Sequence, residues 1–143
     1  MPLVRKGAPS ADAVRAVSRV NASASVRAGL FLYLGCWGDA HHTADSVEHR
    51  DGYLWHAIVH RQEPDAWNSG YWFRKTGSHP IFTALAKTAG STGYSAGCNW
   101  DPYRFTDFCG SARPHSEEER IAMDVQLLEW QLLFDFCARD EHR

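Results

Sequence analysis

The 143-residue chain carries 15 Lys and Arg against 17 Asp and Glu, a formal charge of −2, with 44% apolar residues. That length can bury a sizeable core, so neither disulfides nor a metal is needed merely to hold the chain together. Charges of both signs are scattered along it, which excludes the broad positive field that captures nucleic acid or an anionic membrane surface.

Residues 1–9 are polar and carry Pro and Gly, the composition of a flexible leader, and Ser10 has the chemistry of an N-cap. Behind it Val14, Val17 and Val20 recur at helical spacing. The apolar run from Val26 to Leu34 predicts a second helix, which Gly35 and Gly38 interrupt. A new helix is expected from Asp39, with small residues at Ala40 and Ala44 that let it pack closely as an αα-hairpin. Asp51-Gly52 opens a helix over Tyr53 to Glu63, which Pro64 stops because the residue before a proline avoids the α region. Asp65 caps the next helix, beginning at Ala66 and ended by Gly77. A short helix follows His79-Pro80, then a loop rich in Gly and Ser, then a helix started by Asp101 with Pro102 at its first position. Ser116 and Glu119 form a capping box before the longest helix. Its apolar residues fall on two stripes, Ile121, Val125, Leu128 and Leu132, and Met123, Leu127, Trp130 and Phe134, so two sides should be buried.

These elements predict an all-α fold: a compact bundle of αα-hairpins closed by a long C-terminal helix, with residues 10–143 as a single helical domain behind the leader. The two tight hairpins resemble tetratricopeptide or Sel1-type units, although their turns lie closer together than such repeats allow. Cys36, Cys98, Cys109 and Cys137 form no CxxC pair and are expected as reduced thiols. Residues 1–10 have no apolar core of a signal peptide, and no apolar run approaches the roughly 20 residues of a membrane span. A cytoplasmic protein is expected.

Chemistry concentrates between Tyr53 and Phe82. On a helix turning about 100° per residue, Leu54, Trp55, Ile58 and Val59 share one side and His56, His60 and Glu63 the other. Two imidazoles at i and i+4 with a carboxylate one turn on fit a divalent ion, zinc or ferrous iron, leaving positions for water and substrate. Metal-free acid-base use of His60 with Glu63 or Asp65 is a second possibility, and plain structural hydrogen bonding a third. His41, His42 and His79 are further candidates to face the same groove. The following helix sets Trp67, Tyr71 and Trp72 beside Asn68 and Arg74, where Arg74 could clamp an acidic ligand.

The run from Trp55 to Phe82, WHAIVHRQEPDAWNSGYWFRKTGSHPIF, resembles the signature of a family of small, uncharacterised helical proteins, near WHAIxHRREPDxxNxxYWFRRVGxHPxF. Gln62 and Thr76 depart from it, while His56, His60, Glu63, Asp65, Asn68, Arg74 and His79 match. The resemblance implies that these polar residues belong together and brings no reaction with it.

Three functions fit this reading. The first is a small enzyme, a hydrolase or oxygenase, with His56, His60, Glu63 and Arg74 as catalytic residues and Trp67, Asn68, Tyr71, Trp72 and His79 binding a small molecule. It expects these groups to converge on an enclosed, partly apolar pocket. The second is a helical adaptor that takes a peptide between hairpins. The third is an oligomerising domain paired through Trp130 or Phe134.

Overall fold

A computed structural model describes residues 1–140. Eight α-helices follow one another: α1 (Ala11–Ser18), α2 (Ala24–Tyr33), α3 (Trp37–Asp45), α4 (Arg50–Gln62), α5 (Ala66–Thr76), α6 (Ile81–Thr88), α7 (Pro102–Ser111) and α8 (Glu117–Asp140), with a 3-10 turn at Ala89–Thr92. The described residues contain no strand. The fold is all-α, as the periodicity predicts.

The helix starts follow local side-chain chemistry. Ser10 Oγ accepts from the Ala13 amide, Ser23 Oγ from Val26, Asp65 Oδ1 from Asn68, and Asp101 Oδ1 from both Tyr103 and Arg104. Each satisfies an amide that the helix itself leaves without a partner. At α8 the expected box forms with a shift: Ser116 Oγ accepts from the Glu119 amide, but the Glu119 carboxylate reaches back to the amide of His115. Two starts differ from expectation. Helix α3 begins at Trp37, whose indole is buried and fixes the first turn. Helix α4 begins at Arg50, with the His49 ring accepting from the Asp51 amide. Asp51 is thereby released to pair with His79.

Helices α2 and α3 pack as one pair, α4 and α5 as another, with α3 against α4 joining them. Helix α8 closes the bundle against α2, α6 and α7. One core gathers Phe31, Leu32, Trp37, Trp55, Ile58 and Phe73; the other holds Leu85, Tyr94, Trp100, Phe105 and Val125. Helix α8 serves both, since Val125 lies in the second and Leu133 in the first. Its deepest stripe runs through Ala122, Val125, Gln126, Glu129, Leu133 and Cys137, between the two apolar stripes named above. Trp130 donates to the Gly29 carbonyl and stacks on Phe134, so both rings have partners within the chain.

The central element is α4, where every residue from Leu54 to Gln62 is buried. Its polar residues therefore need partners, and they find them on other elements. Gln62 Oε1 accepts from Trp37 Nε1 at 2.5 Å, and Arg61 meets Glu129 and Gln126 of α8. The leader expected over residues 1–9 is helix-free, but its first part is docked. The Pro2 carbonyl accepts from Gln126 at 2.7 Å and Gln62 at 3.2 Å, and the Arg5 amide donates to the Gln62 carbonyl at 2.9 Å. Buried carboxamides on α4 and α8 find acceptors there and order the segment.

Gly52 shows how closely the chain passes over the start of α4. A Cβ at this position would stand 2.1 Å from the Val47 carbonyl oxygen. Alanine in a helix gains about 1 kcal/mol over glycine from propensity alone. Here the clash should outweigh that gain, and Gly52→Ala is expected to lower the unfolding free energy by about 1–3 kcal/mol net, read from the urea midpoint. An unchanged or higher midpoint would contradict this close approach. No described helix is long and apolar enough to cross a membrane.

Candidate functional site

His56 and His60 lie one turn apart on α4, with their rings stacked at 5.0 Å between centroids. Helix α3 brings His41 over them: its ring centroid lies 4.3 Å from that of His56 and 5.2 Å from that of His60, edge-on to both. His42 is exposed, so one of the adjacent histidines turns inward. One ligand atom from each of His41, His56 and His60 lies within 4.8 Å of the others, the one such group of metal-binding side chains among the described residues. His41 Nε2 and His56 Nε2 are 2.9 Å apart, so one carries the hydrogen and the other a lone pair.

The outward nitrogens face carboxylates. His56 Nδ1 lies 3.9 Å from Asp45 Oδ1, and His60 Nδ1 lies 3.6 Å from Glu63 Oε2 and 4.0 Å from Asp65 Oδ2. These separations exceed hydrogen-bond length, and both buried Nδ1 atoms lack a hydrogen-bond partner. Unpaired buried polar atoms are rare and ask for a reason. Burial, followed by the neighbouring His41 and His60, pushes the His56 imidazolium down to about 4, and burial also lowers His60 despite Glu63. Both rings are therefore neutral at pH 7, the form that coordinates metal.

This depression contributes to the acid sensitivity of the metal-free protein. Unfolded, His56 takes up a proton near pH 6.5; folded, it resists until about 4. Between those values the unfolded chain binds more protons, so stability falls as pH falls and levels off below 4. The full span corresponds to about 3 kcal/mol at most. Urea midpoints from pH 7 to pH 4 should show this loss, and His56→Gln should flatten it; a slope unchanged in the variant would assign it to other groups.

Trp72 of α5 stacks on His56 at 3.7 Å between centroids and 14° between planes. Tyr71 meets Trp72 edge-on at 5.2 Å. Asn68 is tied to Asp65 through both its amide and its side chain, so it orders the carboxylate beside His60. These residues belong to the surroundings of the cluster. Trp67 is 74% exposed.

Other members of the expected set lie apart from it. The third imidazole is that of His41, in the place assigned to Glu63 as a ligand; Glu63 stands behind His60 and meets Arg5 at 3.7 Å. Arg74 is exposed and forms no ion pair with a described residue. Its place in the last turn of α5 leaves it in water instead of over Glu63 or Asp65. His79 is buried elsewhere, bonded to Asp51 at 2.7 Å and accepting from the Ile81 amide through Nδ1. Both its nitrogens are used in holding the start of α6 to α4. A cleft of about 490 Å³ lined by His79, Phe82, Trp100 and Tyr103 lies away from the cluster, and none of the clefts described touches His41, His56 or His60. The three rings sit beneath the surface at the seam of α3, α4 and α5, with His41 half-buried.

Comparison with protein-family models, curated proteins and solved structures finds no match to the chain.

Proposed function

We propose that His41, His56 and His60 hold one divalent transition metal, and that the protein is a small metal-dependent hydrolase. The observation that carries this reading is the meeting of three imidazoles from two helices, with two buried Nδ1 atoms unpaired and carboxylates behind them. Three histidine ligands and an open fourth position suit zinc, which lowers the pKa of a bound water to about 7 and makes it a nucleophile. The ferrous oxygenase alternative fits less well, since its usual ligand set pairs two histidines with a carboxylate and this group holds three imidazoles. Neighbouring nitrogens in a tetrahedral zinc site lie about 3.3 Å apart, so the 2.9 Å pair has to open slightly and the third ring has to draw in. Coordination through Nε2 of His56 and His60 would leave each Nδ1–H to donate toward Asp45 and Glu63, the outer arrangement that orients metal-bound histidines.

A peptide-binding role draws support from one further feature, the exposed rings of Trp67 and Tyr71 one turn apart on α5. It leaves the histidine cluster without a purpose and ranks second.

The test is elemental analysis of protein purified without chelator, together with melting in zinc, ferrous iron or EDTA. Zinc at about 100 times its dissociation constant should stabilise the fold by about 2.7 kcal/mol, and EDTA should reverse this. Metal-free protein whose melting none of these additions moves would end the reading.

A further inference from the structure

The proposed centre has a charged neighbour that its ligand set does not use. Lys75, exposed on the last turn of α5, holds its Nζ 4.7 Å from the centre of the Tyr53 ring and 4.9 Å from that of Trp72. Trp72 is the indole that stacks on His56, so Lys75 and the cluster share one ring. Among the described residues Lys75 has no carboxylate within ion-pair distance. Two aromatic faces fix its position, and because rings carry no net charge they leave its field unspent. Arg5, the other cation near the cluster, is already paired with Glu63.

The nearby carboxylates are accounted for differently. Asp65 is held by Asn68, Glu63 is paired with Arg5, and Asp45 is 63% exposed at its side chain. All three stand on the Nδ1 side of His56 or His60. Lys75 therefore supplies an unneutralised positive charge on the Trp72 side. Next to it Tyr71, 44% exposed and edge-on to Trp72, extends an apolar surface into solvent.

We infer that the substrate is an organic anion, a carboxylate or phosphate ester, whose charged group is steered by Lys75 toward the metal while its apolar body lies along Tyr71 and Trp72. This rests on the metal reading above. Lysine acts here as a point charge, so it serves either anion, and specificity between them lies elsewhere.

Cobalt(II)-loaded protein separates the two ideas, because its visible bands report metal occupancy and shift when an anion enters the coordination sphere. Phenylacetate and phenyl phosphate are titrated into the wild type, Lys75→Met and Lys75→Arg. The expected result is equal cobalt affinity in all three, with anion binding about tenfold weaker in Lys75→Met and retained in Lys75→Arg. Preference for one probe tells carboxylate from phosphate ester. Loaded protein whose anion affinities are the same in Lys75→Met would overturn the role of Lys75 alone. Failure of the wild type to take up cobalt would overturn the metal reading and this inference with it.

Discussion

His41→Ala is expected to lower zinc affinity by more than about 100-fold while leaving the helical content intact. That factor is the upper end of what losing an outer-shell partner costs, and His41 is a ligand in the proposed centre. It is the informative position because it is half-buried on α3, so its truncation opens little void. His56→Ala would remove a ring packed on Trp72 in a fully buried stretch, and lost stability would cloud the binding measurement. Glu63→Gln makes the graded comparison: as an orienting group behind His60 it should cost about 10- to 100-fold. Competition against a chromophoric chelator reads all of these. Wild-type affinity in His41→Ala would reduce the three rings to a hydrogen-bonded histidine network.

Removing the Glu129 carboxylate is expected to be the most damaging change to stability. Arg61 is 4% exposed and Glu129 fully buried, with their side chains meeting at 2.5 Å. Glu129 acts against the burial that would otherwise drive Arg61 toward neutrality, and with Glu129 in place the guanidinium is held above its ordinary value. Glu129→Ala leaves that charge in an apolar interior, which costs about 3–5 kcal/mol. Guanidinium unfolding, followed by helical circular dichroism, measures it. The double replacement Arg61→Met with Glu129→Leu should recover most or all of the loss, because a well-packed apolar pair avoids desolvating two charges. Gln126 Oε1 loses its Arg61 donor in that variant, which sets the limit of the recovery, while its Nε2 bond to the Pro2 carbonyl does not involve either replaced residue. A Glu129→Ala protein within about 1 kcal/mol of wild type would mean that water reaches the guanidinium.

The helices were legible because their starts and stops are local. Ser10, Asp65, Asp101 and Ser116 act on amides two or three residues away, and apolar periodicity does the rest. The buried polar network was not legible. Gln126 and Glu129 interrupt the apolar pattern of α8, and their partner Arg61 lies more than 60 positions away, so no local signal says that they turn inward. The site was half legible. The i, i+4 spacing put His56 and His60 on one edge of α4, and His41 stood among the candidates, but Glu63 was the nearer choice along the chain. The packing of α3 on α4 is what brings His41 over both rings. Arg74 and His79 had suitable chemistry, and the helical phase and the pairing with Asp51 carry them elsewhere.

The burial of α4 from Leu54 to Gln62 divides the labour of closing the site. Two rings ride on a rod wedged among its neighbours, which cannot rotate or slide without disturbing most of the interior. The remaining ring comes from α3, joined to that rod by residues 46–49. An arriving ion would meet two rings on that rod and one on α3, which the buried Trp37 indole pins to Gln62, so the third ligand is held in register from within the core.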